Sequence, residues 1–150
     1  MPDNIPFGFA LIDAARLLRA RFDHALAGTD LDLTPGEARA LVYASHYPGA
    51  RTAALAAYMG VEPMTLIGFL DRLEAHGLIV REPDPADRRA RTVRLTPQAE
   101  PLLARVVALF TATRAALLND FTVKEQDAFK AMLLRLRARL LDETRPGKAP

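Results

Sequence analysis

Apolar residues recur along this chain at helical spacing almost throughout, and the pattern breaks once. Over residues 7–26, Leu11, Ala15, Leu18, Phe22 and Leu26 form one stripe, while Arg16 and Arg19 leave it at a different angle. Gly28 ends that helix, and residues 29–33 read as a linker. Thr34, Pro35 and Glu37 supply an N-cap, a proline at the first helical position and an acid three residues after the cap, so a second helix should run to about Tyr47, before Pro48-Gly49. A short helix rich in small residues follows, with Leu55 among Ala53, Ala54, Ala56 and Ala57, and then a turn at Met59-Gly60-Val61. The next helix starts at Glu62-Pro63, buries Leu66, Leu70 and Leu73 with Phe69 beside them, and stops at Gly77. That is helix-turn-helix spacing. Its outward face carries Met64, Thr65, Ile67, Gly68, Asp71 and Arg72, the groove-facing side if this helix reads DNA.

The break in the helical period lies between Gly77 and Thr96. LIVRE has strand character, PDPAD is turn chemistry, and RTVRL alternates polar with apolar residues, so the segment reads as a two-stranded hairpin, or wing. Its tip and return strand hold Arg88, Arg89, Arg91 and Arg94 with no acid among them, a compact footprint for phosphates and a minor groove. Two further helices are predicted over residues 97–118 and 123–142. The first carries Leu102, Leu103, Val106, Val107, Phe110 and Leu117; the second carries Phe129, Met132, Leu133, Leu136 and Leu140, with Thr122 and Glu125 set as a capping box. Together with the helix over 7–26 they hold more apolar surface than a small winged module can cover, which points to a homodimer built from both ends of the chain. A monomeric core using all three helices is the alternative.

These residues resemble the MarR family of winged-helix transcriptional regulators, and within it the SlyA-like branch. The resemblance rests on Leu33-Thr34, Leu55-Ala56, Gly60-Val61, Leu70-Asp71-Arg72-Leu73-Glu74, His76-Gly77-Leu78-Ile79, the wing run Asp84-Pro85-Ala86-Asp87-Arg88-Arg89-Ala90 and Leu95-Thr96. Asp23-His24 and Gln98-Ala99-Glu100-Pro101-Leu102 resemble the SlyA-like branch in particular. The implied fold class is mainly α with a small β wing: one domain, with a winged helix-turn-helix over 34–96 flanked by dimerisation helices over 7–33 and 97–142. Residues 1–6 read as a loose, apolar arm and residues 143–150 as a loose tail. The implied function is that of a sequence-specific regulator, a repressor that binds a pseudo-palindromic duplex operator as a homodimer and is released by a small aromatic carboxylate or phenolic anion.

The resemblance also implies site residues. In the wing, Asp87 braces the hairpin, Arg72 of the recognition helix ties Asp87 to that helix, and Arg89 enters the minor groove with Arg88 and Arg91 beside it. On the recognition helix the polar residue and arginine usual in the family are replaced by Ile67 and Gly68. Thr65 is then the main base-edge candidate, and Met64 and Ile67 face thymine methyls. Gly68 implies close backbone approach, either to DNA or to packing within the module. Arg16 stands where SlyA-like relatives place an arginine that receives an effector anion, with Tyr43, His46 and Tyr47 along the same crevice and Ala38 where a bulky aromatic is common. An intersubunit salt bridge is the other reading of Arg16.

Composition narrows the field further. The chain has 150 residues and a net charge of only +2, yet 17 of its 20 basic residues are arginine, suited to bidentate phosphate and guanine contacts or simply to a GC-rich genome. There is no cysteine, hence no disulfide, thiolate metal site or cysteine redox switch. No cofactor is implied. With no apolar run of membrane-spanning length and no leader, a soluble, cytoplasmic protein is expected. His24, His46 and His76 are scattered without paired acids or a nucleophile, which disfavours an enzyme. A zinc-responsive or ligand-independent regulator, or a helical interaction protein that has lost DNA specificity, remain as alternatives.

Overall fold

The structure is a computed structural model that describes residues 4–143. The expectation of a loose tail over 143–150 therefore lies almost wholly outside the described residues, and the arm over 1–6 lies half outside. The elements in chain order are α1 (Phe7–Ala27), α2 (Pro35–His46), β1 (Ala50–Arg51), α3 (Thr52–Met59), α4 (Pro63–Ala75), β2 (Ile79–Pro83), β3 (Arg91–Leu95), a 3-10 turn (Pro97–Ala99), α5 (Glu100–Leu117) and α6 (Val123–Glu143). The chain divides into two compact units at Thr113 and Arg114, inside α5.

In the first unit, local chemistry sets the helix ends. Thr34 accepts from the Glu37 backbone at 3.3 Å while the Glu37 side chain accepts from the Thr34 backbone at 2.9 Å, closing the capping box that starts α2. Gly60, at φ 64°, ends α3 in the left-handed conformation and makes the turn into α4. Leu41, Leu55, Leu66, Leu70, Leu73, Ile79 and Val93 are fully buried and fuse α2, α3, α4 and the sheet into one core. Leu26, Ala38 and Val106 form a second cluster, joined by Leu109 and Phe110, and Phe22 packs on Phe110 with ring centroids 4.7 Å apart. Arg39 on α2 pairs with Asp23 on α1 at 3.1 Å.

The sheet has three strands rather than the expected two, in the order β1-β3-β2, antiparallel throughout. Ala50 and Arg51 pair with Val93 and Thr92, so the wing is stitched to the residue that leads into α3. In the small-residue helix only Leu55, Ala56 and Met59 are buried, and Ala53 and Ala57 face outward. No single helix among the described residues is long and apolar enough to cross a membrane; α3 and α4 together pass by composition, but they are bent by 110° and form the helix-turn-helix core.

The second unit is the end of α5 and all of α6. The Thr122 and Glu125 capping box forms, and Gln126 donates to the Leu118 and Phe121 carbonyls across the turn. Among the described residues α6 buries none of its side chains, and Phe129, Met132, Leu134 and Leu140 are more than half exposed.

Candidate nucleic-acid interface

Helix α4 buries Leu66, Leu70 and Leu73 completely, and this fixes which side faces out. Met64, Thr65, Gly68, Asp71 and Arg72 are exposed and Ile67 is half-buried, the face expected from the pattern. Two sets of ion pairs hold the helix in place. Arg72 Nε meets Glu37 Oε1 at 2.7 Å, and the Glu37 side chain is only 2% exposed, so the helix is tied to the start of α2. In the same C-terminal turns Arg81 of β2 reaches Glu74 Oε2 through Nη2 at 2.6 Å and Asp71 Oδ1 at 2.7 Å, while its backbone N–H donates to Glu74 Oε1 at 3.0 Å. The hydrogen bond from Arg81 holds the Glu74 carboxyl below its ordinary range, opposed by partial burial and helped at longer range by Arg91.

The wing is braced differently from the expectation. Asp84, not Asp87, carries the hairpin: its Oδ1 accepts from the Ala86 and Asp87 backbone N–H groups at 2.7 and 3.2 Å, and its Oδ2 accepts from Arg51 Nε at 2.6 Å. The Arg51 hydrogen bond, with those backbone donors, holds the Asp84 carboxyl below its usual range. The exposed Asp87 side chain accepts the nearby Arg89 backbone N–H at 3.0 Å. The proposed Arg72 to Asp87 tie is not formed; Arg72 pairs with Glu37 instead. These roles of Arg81, Arg51 and Glu37 were missed from sequence; Arg51 and Glu37 act through partners distant along the chain, and Arg81 through acids of the preceding helix.

The remaining wing cations are exposed. Among the described residues Arg88 and Arg89 make no ion pair, Arg91 lies near enough to Glu74 to help hold it ionised, and Arg94 is 3.7 Å from Glu82. Arg89 and Arg91 share a cleft of about 730 Å³ with Ile67 and Pro63 of α4 and Thr52 and Ala53 of α3. The outward face of the second helix and the free cations of the wing therefore border one concave surface. A Cβ built at Gly68 meets nothing within 4 Å, so packing within the described chain does not require glycine there.

Residues 33–90 match the MarR family. A MarR family protein from Mycobacterium tuberculosis, in complex with salicylic acid, is 31% identical with a TM-score of 0.72, over 91% of this chain and 99% of that one. The chain belongs to the MarR family. A crystal structure of MarR is 28% identical with a TM-score of 0.80, over 95% of both chains. The transcriptional repressor CouR, bound to a 23-mer DNA duplex, is 28% identical with a TM-score of 0.70, over 88% of this chain and 92% of that one. MarR family members are transcription regulators rather than enzymes, and the winged helix described above is their fold.

The residues that the sequence singled out for an effector are only partly brought together within the chain. Tyr43 stacks toward Tyr47 at 6.4 Å, Tyr47 stacks on Tyr58 at 4.3 Å, and His46 Nδ1 lies 2.8 Å from the Val42 carbonyl. Arg16 is exposed and paired to Asp13 on its own helix at 3.1 Å. Ala38 is fully buried in the second cluster with Leu26 and Val106. Among the described residues no three His, Asp or Glu side chains converge to hold a metal, so the zinc-responsive alternative has no ligand set there.

Proposed function

We propose that this regulator binds a pseudo-palindromic duplex operator as a homodimer, with most of its affinity in the wing. The observation that carries the reading is the shared concave surface: Arg89 and Arg91 stand beside Ile67 and Pro63 of the recognition helix, with Arg88 exposed next to them. Guanidiniums without close acid partners neutralise phosphates and release counterions. The relative CouR, bound to a DNA duplex, supports the partner class. Exposed apolar side chains support the dimer: Phe7, Phe9 and Ile12 on α1, and Phe129, Met132 and Leu134 on α6, are each more than half exposed.

The regulator is a SlyA-like repressor released by a small aromatic carboxylate or phenolic anion. The salicylic acid held by the M. tuberculosis relative supports that class, and Arg16, with Tyr43, His46 and Tyr47, is the group assigned to it. Selection of genomic fragments by the purified dimer tests the reading, followed by binding against salt for the native protein and Arg89→Ala. The native protein should retain discrete fragments, and the variant should bind more weakly with a salt slope lower by about two, one phosphate per subunit. Unchanged affinity and slope would remove the wing from the interface.

A further inference from the structure

The outward face of α4 offers almost nothing that can pair with a base edge. Met64 is 74% exposed, Ile67 lies one turn on, and Gly68 is bare with open space where a Cβ would stand. The charged side chains around them are engaged. Arg72 could reach a base edge only by giving up Glu37, whose nearly buried carboxylate would lose its charged partner. Asp71 accepts from Arg81. Thr65 contributes one hydroxyl. Within the major groove, guanine and adenine are read by bidentate donors such as arginine, lysine, asparagine or glutamine, whereas thymine alone of the four bases presents an apolar C5-methyl group. A surface that lacks the donors and is apolar gains most from the methyl.

Resting on the DNA-binding reading, we infer that the recognition helix reads C5-methyl groups of pyrimidines, through Met64 and Ile67, with Gly68 allowing the helix backbone to approach the groove floor. The placement of Ile67 in the same cleft as Arg89 and Arg91 keeps this apolar patch beside the phosphate-binding cations, so methyl contact and backbone contact are made in one docking geometry. A methyl group at C5 is the same group on thymine and on 5-methylcytosine. The site therefore treats 5-methylcytosine as thymine at the contacted positions and rejects unmethylated cytosine and uracil there.

The test uses the full-length protein and a duplex recovered by the fragment selection. Each thymine is replaced singly by deoxyuridine. At one or two positions per half-site affinity should fall by about fourfold, the value of one buried methyl, and by about an order of magnitude when both half-sites are changed. Where a thymine-to-cytosine change weakens binding, 5-methylcytosine should recover it. Met64→Ala, a change at an exposed residue, should narrow the thymine-to-uracil difference without changing the loss caused by Arg89→Ala. Insensitivity to uracil at every position, with Arg89→Ala still weakening binding, overturns methyl readout and leaves DNA binding standing. Retention of no fragment at all overturns both.

Discussion

Arg51 Nε lies 2.6 Å from Asp84 Oδ2, so the residue that leads into α3 is joined to the acid that organises the wing tip 33 positions later. The same carboxylate accepts two backbone N–H groups of the tip, and the Asp84 side chain is only 10% exposed. One side chain thus sets both the shape of the hairpin and its angle to the helix-turn-helix. Asp84→Asn should keep the fold but let the tip drift, costing about five- to tenfold in DNA affinity, up to the worth of one wing arginine. Binding titrations on the selected operator check this, with Asp87→Asn as the comparison that should change affinity less.

Acid should loosen the wing before it unfolds the core. Arg51 depresses Asp84 and Arg81 depresses Glu74. A carboxylate whose folded pKa is lowered contributes stability that is complete above its unfolded value and lost as the pH falls through its folded value. The window is therefore at and below about pH 4, the ordinary range of these acids. Thermal midpoints followed from neutral pH downwards should show a steeper acid decline for the native protein than for Glu74→Gln, which has already lost its share.

Two glycines on facing helices should respond in opposite directions to alanine. A Cβ at Gly36 would lie 2.2 Å from the Phe69 ring, so Gly36→Ala forces ring or helix to move and should cost roughly 1–3 kcal/mol. Phe69→Leu in the same chain should return part of that loss. Gly68→Ala meets nothing and should gain about 0.5–1 kcal/mol of stability from helix propensity. Denaturant midpoints of the three variants decide the matter.

Dimerisation through the terminal helices predicts that a charge on the α6 stripe is damaging. Leu136→Glu places an ion among apolar side chains of which Leu133 and Leu140 are 36% and 52% exposed within the chain. A lower assembly state by light scattering, or unfolding, is the expected result; a dimer of native stability would contradict the proposed interface.

Effector release predicts a separation of ligand response from DNA affinity. Salicylate at about millimolar concentration should weaken operator binding by the native protein, and it does so only through a difference in affinity between two arrangements of the dimer. Arg16→Ala should blunt this response while leaving affinity without ligand within a few fold. A variant that answers as the native protein does would return Arg16 to its pairing with Asp13.

Much of the fold was legible because it is written at short range. Leu66, Leu70 and Leu73, spaced by four and three residues, name the buried face of α4 by themselves, and Thr34 with Glu37 names the start of α2. Gly60 and Gly77 mark the ends of α3 and α4, where the backbone turns left-handed. The wing run from Pro83 to Asp87 was readable as turn chemistry for the same reason. What these patterns do not carry is the choice of partner across the fold. Ion pairing has no period, so nothing in the local sequence prefers Asp84 over Asp87 as the brace, or Glu37 over Asp87 as the partner of Arg72. A two-residue strand such as Ala50-Arg51 has too few alternations to announce itself, and it exists because β3 presents an open edge beside it. Ala38 and Gly36 are small for reasons that lie on other elements, the Leu26 and Val106 cluster for one and the Phe69 ring for the other. Periodicity decides which face of an element is apolar; the packed structure alone decides which distant side chain that element brings within reach of a charge.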